Sequence, residues 1–252
     1  MTSLDIRSRF GFGKFTLLSS IGLTVIAMLV AFLVLNTLGI YWFAQLWYDG
    51  DFSTLLANGS VDGRVLGLSV IFVGVIATAL VWGISYRKFG DGRRAKQFLG
   101  WHGFSRTVLV QGVVALIIFN VVSEILSRVL NQNPMTFMDD IMTNASSLSV
   151  VLMMMGAVIA APIYEEVVFR GLIFGMFADA LHKWRWGVWL ASVISGLLFA
   201  GIHLQYNWYG MTLIFVLALI FAYVRVAGSL TLAIILHMLN NAVAMGLYFL
   251  GQ

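Results

Sequence analysis

A chain of 252 residues that is 60% hydrophobic and only 10% charged, with a mean hydropathy of +0.93, is excluded from the ordinary soluble domains, in which about a quarter of residues are charged. It reads as an integral membrane protein. The absence of cysteine excludes disulfide scaffolds, thiolate metal sites and cysteine nucleophiles. The net charge of +4 follows from the basic flanks that membrane topology demands and does not indicate a nucleic-acid partner.

In chain order, seven apolar stretches are each near the length that crosses a hydrocarbon core as helix: Leu17–Ile40, Val65–Tyr86, Val108–Leu130, Leu148–Phe177, Trp186–Ile202, Met211–Val226 and Leu230–Leu250. The first is too long for the apolar region of a signal peptide and runs on into an interfacial aromatic cluster of Tyr41, Trp42, Trp47 and Tyr48. The runs are continuous rather than alternating, so the predicted fold is all-α, a polytopic transmembrane helical bundle, and not a β-barrel. No internal repeat or low-complexity segment is visible.

Charge predicts orientation. Arg7, Arg9 and Lys14, the linker 86–107 with Arg87, Lys88, Arg93, Arg94, Lys96 and Arg106, then Lys183, Arg185 and Arg225 all fall on one side. Asp49, Asp51, Asp62, Asp139 and Asp140 occupy the other, with Arg64 and Arg128 at the margins. The positive-inside rule then puts the N-terminus in the cytoplasm and the C-terminus outside.

All three glutamates lie inside spans, where an ionisable group costs at least about 2.5 kcal/mol and must find a partner or a wet cavity. Glu124 has Arg128 one turn on, and an i,i+4 pair accounts for both. Glu165 and Glu166 stand side by side in span four. Arg170 shares a helix face with Glu166, whereas Glu165 is turned about 100° away. The spacing therefore predicts an anchor, Glu166 paired with Arg170, and leaves Glu165 as the carboxylate free to act as a general base. A purely interhelical charge network is the competing reading. Pro162, one turn before, removes a helix donor and predicts a local break.

His203 follows Phe199 by one turn, and His237 precedes Asn241 by one turn, so each pair shares a face. A single intramembrane histidine is commonly a structural hydrogen-bonder; two of them, with Asn241 and the glutamate pair, suggest a site. His102 and His182 lie in basic segments and read as solvated. Glu165 and His203 are equidistant in sequence from a hairpin turn near Trp184, about 28 Å of helix away, while His237 stands only about 13 Å from the turn at Gly228. These depths agree if the hairpin projects about 10–15 Å beyond the membrane. The cluster is then expected at moderate depth, reached from the cytoplasmic side.

Three motifs now stand in order: Glu165-Glu166-Val167-Val168-Phe169-Arg170, Phe199-Ala200-Gly201-Ile202-His203, and His237-Met238-Leu239-Asn240-Asn241. Together they resemble the CAAX protease and bacteriocin-processing (CPBP, or Abi) family of intramembrane endopeptidases, related to type II CAAX prenyl endopeptidases. The resemblance covers about Leu148–Gln252. It implies a four-helix protease core over 146–252, preceded by membrane spans over 1–145, in a bacterial cytoplasmic membrane. It also implies hydrolysis of peptide bonds in membrane-associated substrates, lipidated or small peptides among them. In that family's terms Glu165 and His203 would polarise water, His237 and Asn241 would stabilise the oxyanion, and Glu166, Arg170 and Phe199 would support them. If a metal takes part, zinc on Glu165, His203 and His237 is the implied set. The partners implied are a peptide or membrane-protein substrate and the lipid bilayer, with no nucleic acid.

Other intramembrane protease signatures are missing: there is no His-Glu-x-x-His, no Gly-x-Ser before a helix (Ser195 follows Val193 and Ile194), and no Gly-x-Gly-Asp with a second intramembrane aspartate. A proton-coupled transporter would also bury Glu, Arg and His, but repeated halves with matching broken helices are not seen. A non-catalytic membrane scaffold retaining the site is a third reading.

Overall fold

The computed structural model describes residues 14–143 and 145–250, with no side-chain burial given for 14–19; Arg7, Arg9 and Gln252 lie outside the described residues. Every regular element described is helical: α1 (Lys14–Ala44), α2 (Phe52–Gly59), α3 (Gly63–Phe89), α4 (Gly92–Leu99), α5 (Arg106–Val129), α6 (Thr136–Met142), α7 (Ser147–Ala180), α8 (Gly187–Gly201), α9 (Trp208–Ala227) and α10 (Leu230–Leu250). Among the described residues, six helices are long and apolar enough to cross a membrane. The fifth predicted span, α8, is shorter, with 15 residues, about 22 Å of helix. It stops at Gly201, so His203 sits in the turn that follows rather than inside a span.

The elements that sequence periodicity did not reveal are short and locally capped. Asp51 accepts the Thr54 N–H at 2.8 Å to start α2, a bond that holds its carboxyl down at about 2. The basic linker is not a plain loop. Asp91 caps the N-terminus of α4, and Gly100, at φ +79°, ends it in the left-handed region where glycine is free of strain. Ala95, Phe98 and Leu99 of α4 are buried, while Arg93, Arg94 and Lys96 face outward. Arg225 donates to the Phe98 carbonyl at 3.2 Å and the Leu230 N–H to the Gly100 carbonyl at 2.9 Å, fixing α4 under the bundle.

α7 is the central helix. Its Tyr164, Val167, Leu172 and Ile173 share one core cluster with Val73, Ala77 and Val81 of α3, Phe98 and Leu99 of α4, and Leu230 and Ile234 of α10. By contrast Leu23, Ile26 and Val30 of α1 and Ile117, Ile118 and Val121 of α5 are exposed, the lipid-facing pattern of a bundle in a bilayer. Past the level where Leu99 meets Gly171, α7 runs on to Ala180, about 14 Å. Lys88 braces this extension, lying 3.9 Å from Asp179 and over the Phe98 ring.

The α3–α7 crossing is set by two glycines. A Cβ on Gly156 would stand 2.9 Å from the Gly67 Cα, and one on Gly67 would overlap the Leu152 carbonyl. Gly67→Val is therefore expected to cost about 1–3 kcal/mol, read as a lowered melting temperature in detergent. Gly83→Val on the same helix, where an added Cβ meets nothing within 4 Å, serves as the control and should melt as the wild type does.

Candidate functional site

The site is built around a helix that does not wind regularly. α7 carries two π-helical stretches, Met155–Ala160 and Glu166–Ile173, separated by the turn that holds Pro162. In the first stretch the Ala161 N–H bonds to Gly156 O, five residues back. The next carbonyl in that register, Ala157 O, would need the N–H of residue 162, and proline has none. Asn241 of α10 supplies the missing donor: its Nδ2 donates to Ala157 O at 2.9 Å. The helix runs on through Pro162, and the one donor that the proline removes is supplied by a side chain from another helix.

Within the second stretch Glu166 and Arg170 are fully buried, at 0% exposure each. Arg170 Nη1 lies 3.0 Å from Glu166 Oε1, as the one-turn spacing predicts. Arg170 Nη2 also donates to Ala218 O at 3.3 Å, and the guanidinium lies 4.2 Å from the centre of the Phe199 ring and 5.6 Å from that of Phe221. His237 Nδ1 donates to the same Glu166 oxygen at 2.9 Å, and its ring stacks on Phe221 at 4.6 Å. Glu166 thereby joins α7 to α10, and Arg170 joins both to α9.

Glu165 is turned out of this network. Its Oε2 is 3.7 Å from His237 Nε2, and Tyr164 donates weakly to its Oε1 at 3.4 Å. His203 Nδ1 donates to Phe199 O at 2.7 Å; because a carbonyl can only accept, Nδ1 carries a proton, and the neutral ring then keeps its lone pair on Nε2. Phe199 holds the imidazoles in place, 4.6 Å from His203 and 6.0 Å from His237 between ring centres. Glu165, His203, His237 and Asn241 all line one cavity of about 1090 Å³.

That cavity also meets Ser60, Asn131, Met135, Leu204 and Tyr248, and it reaches none of the basic loops. It opens at the acidic end of the bundle, which corrects the expectation of access from the basic, cytoplasmic-flank side. Glu165 and His237 meet at 3.7 Å and so lie at one level, and the path to them runs from the acidic end. Glu124 and Arg128 pair at 2.6 Å on the rim, largely exposed, as their spacing predicts. His102 and His182 are exposed and bond to nearby carbonyls, away from the site.

Among the described residues no three His, Asp or Glu side chains form a group with metal-ligand spacing. The donor set Glu165, His203 and His237 is not gathered into such a group.

Several contributors were not singled out from sequence. Phe221 and Ala218 O lie in an apolar run that carries no signal. Ser195 donates to Phe169 O at 2.8 Å, tying α8 to the π-helical stretch. Asn120 of α5 donates to Asn240 Oδ1 at 3.3 Å and lines the cavity; a lone amide in an apolar span was the available clue.

The cap on Ala157 O yields a specific expectation. Asn241→Ala leaves that carbonyl without its donor and should cost about 1–3 kcal/mol, measured by thermal unfolding in detergent. Adding Pro162→Ala restores the backbone N–H of residue 162, the donor that Ala157 O lacks in this register, so the double variant should recover part of the loss. Strictly additive effects of the two substitutions would contradict the coupling.

Comparison with known proteins agrees with the three motifs. Residues 147–243 match the family model described as "Type II CAAX prenyl endopeptidase Rce1-like". An uncharacterized 24.3 kDa protein of Escherichia coli is 34% identical over 115 residues, 45% of this chain and 51% of that protein, so the chain spans about half the length of the curated relative it matches. No solved structure matches. The matched segment contains all three motifs, Glu165-Glu166 with Arg170, Phe199 with His203, and His237 with Asn241.

Proposed function

We propose that the chain is an intramembrane endopeptidase of the glutamate type, cleaving membrane-associated substrates, lipidated or small peptides among them, with a water activated by Glu165 and His203. The single observation that carries this reading is the division of labour between the adjacent glutamates. Glu166 Oε1 is engaged by Arg170 and His237, whereas Glu165 borders the cavity with His203 also on its wall. A water there donates one hydrogen to the Glu165 carboxylate and the other to His203 Nε2, which turns its lone pair toward an incoming carbonyl carbon.

As water attacks, Glu165 takes its proton and the carbonyl oxygen becomes an oxyanion. His237, tied to Glu166 through Nδ1, faces Glu165 through Nε2; as an imidazolium it donates Nε2–H to that oxyanion. Asn241 has one amide N–H on Ala157 O and a second left over for the same purpose. Glu165 then returns its proton to the leaving amine, and the C–N bond breaks. The four C-terminal helices of 146–252 form the catalytic core in this reading, while Phe32, Asn36 and Asn120 of the preceding helices wall the cavity. The substrate enters at the acidic end.

Glu165→Gln keeps the shape and removes the base. Cleavage of a membrane-anchored peptide by the purified protein is expected to fall about 10²–10⁴-fold, with the melting temperature near that of the wild type because Arg170 keeps its partner. Near wild-type turnover would end the assignment. Cleavage undetectable in the wild type across a peptide library would favour a carrier or scaffold instead.

A further inference from the structure

On the basic half of the bundle lies a second hollow, of about 430 Å³, separate from the catalytic cavity. Thr78 and Trp82 of α3, Lys96 and Leu99 of α4, Trp101, and Val167 of α7 line it. Its long axis follows from the register. Lys96, Trp82 and Trp101 sit where α4 caps the bundle, Thr78 is one turn deeper along α3, and Val167 is one turn deeper along α7 than the Gly171 against which Leu99 packs. The hollow therefore runs from the interface into the hydrocarbon region.

Its chemistry is graded in the same direction. The mouth carries an exposed ammonium, Lys96, that pairs with no carboxylate among the described residues, on a helix whose outward face also bears Arg93 and Arg94. One turn in, Thr78 adds its side chain to the wall, with its hydroxyl oxygen shut away from the free space of the hollow. Deeper still the walls are Leu99 and Val167. The hollow is held open by the pinning of α4 to Arg225 and Leu230.

A matching ligand has an anionic head and an apolar tail. We propose that the hollow binds one anionic glycerophospholipid, its phosphate on Lys96 beside the indole rings of Trp82 and Trp101, and an acyl chain along Thr78, Leu99 and Val167. A soluble phosphate fits the mouth but leaves the apolar walls unused. A zwitterionic lipid fills the walls but carries its own cation to the basic helix.

The test is native mass spectrometry of the full chain in detergent, titrated with phosphatidylglycerol or with phosphatidylcholine of the same chains. One phosphatidylglycerol should be retained with about five-fold preference, and Lys96→Gln should abolish that preference. Thr78→Trp, which fills the hollow, should lower retention of both lipids while the fold, followed by circular dichroism, is kept. Equal retention of the two lipids would show an unselective lipid annulus and overturn the proposal. A preference unchanged in Lys96→Gln, or displacement of the bound lipid by excess inorganic phosphate, would overturn it as well.

Discussion

A guanidinium shut off from water inside an apolar bundle is tolerable only where a carboxylate meets it, and the carboxylate must then be positioned by something else. Arg170 and Glu166 are such a pair, 3.0 Å apart and both fully buried, with His237 as the positioning group on the same carboxylate oxygen. The pair is laid across three helices, with Arg170 reaching the Ala218 carbonyl of α9 and His237 arriving from α10. Desolvation takes back much of what the charge attraction gives. What the arrangement secures is register: α7, α9 and α10 bring these groups together in one alignment, and that alignment sets Glu165 beside His237. Phe199 and Phe221 close the guanidinium from either side, which is how an aromatic on α8 comes to touch both the anchor and His203.

The irregular winding of α7 belongs to the same design. Adjacent residues on a regular helix point about 100° apart, and the two glutamates use that angle to face different surroundings. The π-helical turns on either side of Pro162 need carbonyls capped from outside, and they are capped by Asn241 and Ser195. Asn241 thus has a structural duty in addition to any part in chemistry, and a loss of activity on its removal has to be read together with stability.

Much of this was legible in the residues. An ionisable group in an apolar span is rare enough that Glu165, Glu166 and Arg170 stood out, and one-turn spacing paired the right two of them. The same spacing linked Phe199 with His203, and the glycine–glycine approach of α3 and α7 follows the small-residue rule for membrane helices. What could not be read was set by tertiary packing. The π-helical register depends on which carbonyl finds a donor, and that donor is 84 positions away. The helices α2, α4 and α6 are too short for hydropathy to register. The direction of the cavity was misjudged because loop charge marks the sides of a bundle, while the opening depends on which end the α4 cap seals.

The N-terminal helices then have an assigned place: α3 supports α7, α4 seals the basic end, and α1 and α5 contribute Phe32, Asn36 and Asn120 to the cavity wall. All of it leans on the buried pair, which a double-mutant cycle on Glu166→Leu and Arg170→Met tests most directly, with unfolding in detergent and peptide cleavage as readouts. Arg170→Met alone should lose about 3–5 kcal/mol, and the double variant should regain most of it. It should still fail to cleave, since His237 has lost the partner that aims it. A single Arg170→Met variant as stable as the wild type, or a double variant that cleaves at the wild-type rate, would contradict the account.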